Sequence, residues 1–338
     1  MVVFYIVSAI GLCLIIGILY QSLATKFDEK QYPAPGLFVE IDGRRLHYQS
    51  FGVDKGPIVI FDHGCGIGSS SLIWKLVTDK VSQFTRVITY DRAGYGWSDP
   101  GSYPRTNQAA VEDLRILIEK VNMKGPIILV GHSYGGLNVR LFAKKYPNLA
   151  AGIVLVDATH EDELTSRFPA KYVKGQMMGR KAFKLLKYLC YFGILRIMGK
   201  LHAFSQIEEI LKKFPNQLQS IYQSTLFLNK TAKAVASEFS NLDVRYNEVR
   251  GSSLSHVPLV VIKSGNVENL NGFSEVEVVE TKKALHDVAV EMSKLSTNGE
   301  LWIAENSGHN IHVEDPDLVV KAIKKVCQSK VSAFPFVR

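Results

Sequence analysis

Ile127-Ile128-Leu129-Val130-Gly131-His132-Ser133-Tyr134-Gly135 is the stretch that decides the fold. A continuous apolar run of this length, bounded by glycine, suits a strand buried on both faces of a parallel sheet. Apolar residues at helical spacing follow from Leu137 to Tyr146. A G-x-S-x-G pattern caught between strand and helix has a physical meaning. Small residues on both flanks permit a sharp strained turn that pushes the Ser133 hydroxyl out at the top of the sheet. An ordinary serine loop has no need of them.

Outward from this turn the same alternation recurs. Ile58 to Phe61, Val87 to Tyr90 and Ile153 to Val156 repeat the apolar run, and Gln108 to Val121 carries a helical pattern. Leu37 to Ile41 and Arg44 to Ser50 read as a hairpin about Asp42-Gly43, a two-residue turn signal. The fold class is therefore α/β, a doubly wound and mostly parallel sheet. The alternation stops near Thr159 and resumes with Pro258 to Ile262. It then continues through a helix over Glu275 to Ser293, a strand over Leu301 to Ala304 and a helix over Pro316 to Cys327. The expected division is an anchor over 1–25, a linker over 26–36, core over 37–159 and 257–330, and a helical lid inserted at 160–256. Tyr32-Pro33-Ala34-Pro35-Gly36 marks the linker, because proline disfavours helix at and before its own position.

A serine hydroxyl needs a positioned imidazole to take its proton. Of nine histidines, His309 in Ser307-Gly308-His309-Asn310 follows the last strand, where site residues of open sheets gather. It is preferred to His312, which starts the following helical region, while His63 and His132 read as scaffolding. Two carboxylates suit the third role of orienting the imidazole. Asp157 ends the Ile153 to Val156 strand, and Glu268 follows the Pro258 to Ile262 strand. Asp157 is favoured and Glu268 stays open as the alternative. The backbone amides of Cys65, in His63-Gly64-Cys65-Gly66, and of Tyr134 are candidate donors to a developing oxyanion.

Several classes are excluded. Gly64, Gly66 and Gly68 lack the third glycine of a dinucleotide loop, and Asp91 is a weak substitute for its acidic residue. His160-Glu161-Asp162-Glu163 lacks the second histidine of a zinc helix and reads as an acidic start to the lid beside a helix N-terminus. No cofactor or metal is expected. The formal charge of +8 is concentrated in Lys171 to Lys200, which holds eight basic residues and no acidic one. No nucleic-acid module accompanies it, so nucleic acid is not an expected partner. The four cysteines show no framework or metal spacing.

Val2 to Tyr20 is uncharged and apolar, close to the ~20 residues that cross a bilayer as a helix. No Lys or Arg precedes the run, so a retained single-pass anchor is preferred to a signal peptide cleaved near Ser22 and Ala24. Lys26, Lys30, Arg44 and Arg45 would favour the cytoplasmic side, but large domains translocate regardless of charge. The basic lid, with Leu185, Leu186, Leu189, Tyr191, Phe192, Leu195 and Ile197 among its cations over Ala182 to Phe204, reads first as a solvated face with a packed underside and second as a further membrane contact.

Together these features resemble the α/β-hydrolase family, in its lidded branch of esterases, lipases and proline iminopeptidases, over about Leu37 to Cys327. Tyr90-Asp91-Arg92-Ala93-Gly94-Tyr95-Gly96-Trp97-Ser98 is similar to the family's loop after the fourth strand. The resemblance implies aspartate at the elbow in dehalogenases and epoxide hydrolases; serine here points to an ester, thioester or amide. It also implies an acid placed as G-x-x-D after the later strand, where this chain has Glu268. The expected activity is a serine hydrolase acting on a small-molecule acyl substrate that is lipophilic and membrane-borne. An N-terminal peptidase, with Glu161, Asp162, Glu163, Glu208 or Glu209 receiving the amine, is the enzymatic rival. A catalytically idle binding protein of the same fold is the other.

Overall fold

The structure, a computed structural model, describes residues 1–240, 242–251, 253–267 and 270–331. Helix α1 (Val2–Gln31) precedes the hairpin β1 (Leu37–Ile41) and β2 (Arg44–Gly52), whose turn residues Asp42 and Gly43 both take positive φ, 49° and 75°. Next come β3 (Ile58–Asp62), the short α2 (Ser70–Ile73), α3 (Lys75–Val81) and β4 (Arg86–Tyr90). They lead to α4 (Asn107–Lys120), β5 (Ile127–His132), α5 (Tyr134–Lys145) and β6 (Ala150–Val156).

Six helices then intervene: α6 (Ala170–Tyr191), α7 (Ile194–Lys200), α8 (Ser205–Leu211), α9 (Asn216–Leu226), α10 (Asn229–Glu238) and α11 (Leu242–Val249). The core resumes with β7 (Leu259–Ser264), α12 (Glu275–Ser293), β8 (Gly299–Ala304), α13 (Ile311–Glu314) and α14 (Pro316–Val331). Helix α12 starts where Ser274 and Glu277 close a reciprocal capping box.

The eight strands form one sheet in the order β1-β2-β4-β3-β5-β6-β7-β8. Strand β2 runs antiparallel to both its neighbours and the rest are parallel. Every residue of β3 and β5 is buried, which is why their sequences are unbroken apolar runs. Side chains of α4, α5 and α12 cover one face, Leu114, Phe142 and Met292 among them. Those of α3 and α14, such as Val77 and Ile323, cover the other. This is the doubly wound arrangement, and it sets the carboxyl ends of β3, β5, β6 and β7 at one edge, beneath the inserted helices.

Helix α1 runs to Gln31, through the first part of the segment expected as linker. Lys26, Asp28, Glu29 and Lys30 continue a helix as readily as they would a linker, and Pro33 is what ends it. Only residues 32–36 are extended or bent.

Candidate active site

Ser133 sits between β5 and α5 with φ 51° and ψ −120°, a conformation that costs a non-glycine residue of order 1–3 kcal/mol. Its neighbours explain how the chain tolerates it. A Cβ on Gly131 would meet the Gly135 carbonyl at 2.7 Å, and one on Gly135 would meet the Asp62 carbonyl at 2.5 Å. Hydrogen bonds pin the turn from both sides: the Ser133 amide donates to the Val156 carbonyl at 3.2 Å, and the Ser133 carbonyl accepts from Gly136 and Thr159.

Strand β6 ends in Asp157, also at positive φ (38°). His309 lies in the loop between β8 and α13, and its Nδ1 stands 2.6 Å from Asp157 Oδ2. The other carboxylate oxygen, Oδ1, accepts from the amide and hydroxyl of Ser264, at 3.1 and 3.0 Å, and is ion-paired with Lys263. Burial alone would raise the Asp157 carboxyl; the Lys263 ammonium and the His309 ring override it and hold it far below the carboxylate range. Burial would lower His309, but the Asp157 hydrogen bond and charge outweigh it and the net shift is upward, against a smaller downward pull from Lys263. The His309 side chain keeps 44% of its surface accessible, because it opens onto the cavity while protein surrounds its Nδ1 side.

His132 locks this loop to the elbow. Its Nε2 is 3.0 Å from the His309 carbonyl oxygen, and its ring lies between those of His309 and His312, at 4.7 and 4.3 Å. His312 is fully buried in α13 against Trp74, and neither of its ring nitrogens has a hydrogen-bond partner among the described residues. Burial, helped by the His309 charge, lowers it to about 3. His63, buried behind the loop with Nδ1 2.7 Å from the Gly64 carbonyl, is likewise lowered to about 3 by burial and then by Arg92. Both rings are therefore neutral near pH 7.

The loop after β3 comes up against the elbow: a Cβ on Gly64 would stand 3.2 Å from Ser133 Cβ. Cys65 borders the same cavity as Ser133, and Tyr134 opens the first turn of α5, where backbone N–H groups point out of the helix. The Cys65 thiol faces Glu238 of the lid, Sγ to Oε2 3.0 Å.

That glutamate belongs to a buried network that the sequence did not reveal. Arg92 donates to both Glu238 oxygens at 3.0 Å and to Asp62 at 2.6 Å, and Tyr95 donates to Glu238 at 2.6 Å. Burial would raise Glu238, but the Arg92 charge and these donors hold it at about 2. Lys263 was equally unforeseen, although a lysine directly after the buried run Leu259–Ile262 is a signal that something must pair with it.

Residues Cys65, Ser133, Asp157, Lys263 and His309 border one cavity of 1990 Å³ between core and lid. Its lid side carries Phe183, Leu186, Leu195, Phe204, Phe227 and Phe239 together with the charged Arg180, Lys212 and Lys213. The acidic start of the lid differs from expectation. It precedes α6 as turns rather than heading a helix, and pairing explains its charges. Glu161 is held by Arg140 at 2.7 and 2.9 Å, and Asp162 by Arg167 and Arg250 at 2.8 and 2.7 Å. Glu163 is pushed up by burial and borders the cavity, as does Glu209. Glu208 pairs with His202 at 3.1 Å. The alternative acid Glu268 lies outside the described residues. Among the described residues no cluster of three or more metal-ligating side chains occurs.

Comparison with known proteins places this fold. YqjL of Bacillus subtilis, an uncharacterized protein, is 27% identical over 297 residues, covering 87% of this chain and 93% of YqjL. The proline iminopeptidase PfmaB of Pestalotiopsis fici is 25% identical over 315 residues, 85% of this chain and 97% of its own. Among solved structures, the epoxide hydrolase CorEH superposes with a TM-score of 0.65 at 17% identity, over 87% of this chain and 98% of that one. The sequence model described as "Alpha/beta hydrolase family" matches residues 59–322, from β3 into α14 and across the whole lid. The chain therefore belongs to the α/β-hydrolase family, a superfamily of hydrolytic enzymes.

Proposed function

We propose that the chain is a membrane-anchored serine hydrolase that cleaves an ester or related acyl bond of a lipophilic substrate through an acyl-enzyme. The observation that carries this is the 2.6 Å contact between His309 Nδ1 and Asp157, at a cavity shared with the strained Ser133. A carboxylate on Nδ1 fixes the tautomer that leaves Nε2 as the base. His309 then takes the Ser133 proton as Oγ attacks the acyl carbon, and returns it to the leaving alkoxide or amine. The oxygen that gains negative charge is met by the amides of Cys65 and Tyr134. Water repeats the sequence to release the acid.

Serine at the elbow speaks for acyl transfer, since the resemblance implies aspartate there in dehalogenases and epoxide hydrolases. The size and largely aromatic and aliphatic lid wall of the cavity favour a long apolar acyl group. Helix α1 is long and apolar enough to cross a membrane by length and composition, and its retention is supported by the seat it occupies: Gln21 is buried and Asp28 pairs with Arg196 of the lid. Cleavage near Ala24 would strip Gln21 from that seat and leave only Asp28 in it.

A fluorescent fluorophosphonate tests the reading. Labelling is expected in the wild type, none in Ser133→Ala, and a loss of turnover on the order of 10⁴-fold in Asp157→Asn with Glu268→Gln little changed. A folded wild type that stays unlabelled removes the nucleophile assignment and puts the idle binding protein first.

One observation favours a second reading, a peptidase releasing an N-terminal residue. Glu163 is the acidic residue that borders the cavity nearest in sequence to Asp157, and a substrate ammonium would be attracted to it. Comparing prolyl p-nitroanilide with p-nitrophenyl esters of rising chain length separates the two. If the anilide is the better substrate and Glu163→Gln raises its KM at least about tenfold, the ester reading fails.

A further inference from the structure

Helix α1 stays in contact with the body of the protein at the end of its apolar run. A Cβ on Gly17 would collide with the carbonyl of Phe192, and Gly193, at φ 72°, faces the Tyr20 ring. Lys200 Nζ stands 5.6 Å from the centroid of that ring. One turn on, the Gln21 amide donates to the Phe227 carbonyl at 2.7 Å, while Arg196 donates to Gln21 at 3.1 Å and pairs with Asp28. Residues 17–20 close the apolar run, so in a spanning helix they mark the depth at which hydrocarbon gives way to headgroups. These contacts put the α6–α7 junction at that depth.

What α6 and α7 present there is unusual for a face in water. Met178, Leu185 and Tyr188 recur at helical spacing and are 62%, 59% and 55% exposed; Ile197 and Leu201 extend the patch at 46% and 73%. Lys174, Lys181, Lys184 and Lys187 flank it, and no acidic residue occurs between Lys171 and Lys200. Large apolar groups interleaved with lysines match an interfacial helix rather than a solvated one. From within, the same segment supplies Leu186 and Leu195 to the cavity that reaches Ser133.

We propose that the exposed face of α6 and α7 is a docking surface for an anionic lipid leaflet, held at headgroup depth by the seating of α1, so that the lid side of the cavity adjoins the leaflet. This rests on the membrane-anchored reading above. The occupant is a bilayer because the patch is continuous with a helix of membrane-spanning length, and an anionic one because Lys174, Lys181, Lys184 and Lys187 flank its α6 part with no acidic residue between Lys171 and Lys200.

The test uses the full chain in vesicles and an introduced tryptophan. The three native tryptophans, at 74, 97 and 302, all lie outside the lid, so Leu185→Trp reports on α6. Leu149→Trp, at the opposite edge of the sheet, is the control. Brominated phosphatidylcholine, with or without phosphatidylserine, is the quencher. Quenching is expected at residue 185 in anionic vesicles, absent at 149, and at least about fivefold weaker in Lys181→Glu/Lys184→Glu or in neutral vesicles. Residue 185 unquenched in floating protein overturns the proposal; equal quenching in neutral and anionic vesicles overturns its anionic assignment. A chain that does not float with the vesicles overturns anchor and surface together. Fluorophosphonate labelling of the same samples scores the catalytic reading separately, since neither readout depends on the other.

Discussion

At Asp157 an ammonium and an imidazole share one carboxylate, Lys263 on Oδ1 and His309 on Oδ2. Lys263 pulls the imidazole pKa down while Asp157 pushes it up, so the lysine acts as a brake on protonation of the proposed base. Removing it without a loss of volume, in Lys263→Met, should raise the His309 pKa. The base must be neutral to accept a proton, so the acid limb of kcat/KM moves to higher pH; an unmoved or lowered limb means the lysine serves packing alone. Single residues were unevenly legible. Ser133 announced itself through its glycines, because the turn has no room for Cβ atoms at 131 and 135. Asp157 and Glu268 stayed open as rivals because linear order carries no distance between a strand end and the His309 loop, and Glu268 lies outside the described residues. Lys263 and Glu238 were hidden for the same reason, their partners lying 106 and 146 residues away.

Among the elements, strands were the most legible. Burial on both faces forces an unbroken apolar run, and β3 and β5 start where that run does; their ends reach one or two residues further. Helix α1 was the least legible, since nothing in Lys26-Phe27-Asp28-Glu29-Lys30 shows that Asp28 is claimed by Arg196. That pair is the element's structural weak point. Arg196→Ala leaves Asp28 and Gln21 without their guanidinium and should cost about 3 kcal/mol locally. Amide exchange over residues 190–200 and 225–228 should accelerate, with the core strands unchanged. Uniform acceleration across the sheet would mean instead that lid and core unfold as one unit.

For the whole molecule, the buried Arg92 network ties the lid to the sheet. Glu238 is ionised well below its unfolded value, about 4.3, down to about 2. Its contribution to stability is therefore complete above pH ~4.3 and is lost as pH falls through about 2. Glu238→Gln should lower stability near neutral pH by roughly 3–5 kcal/mol, because Arg92 loses a buried counter-charge, and should flatten the acid decline. A variant with wild-type steepness between those limits would assign the acid sensitivity to other carboxylates.

The seat of α1 also has a consequence in time. Gln21 reaches its acceptor on Phe227 across 206 positions of chain, one of the long-range closures that slow a fold. A ribosome adding residues in order exposes the apolar helix long before its resting place has been made. Gln21 has no acceptor until residue 227 emerges, although Phe192, Gly193 and Arg196 reach the helix earlier; on the anchored reading proposed above, α1 would enter the membrane first and the lid would close around a helix already fixed in place.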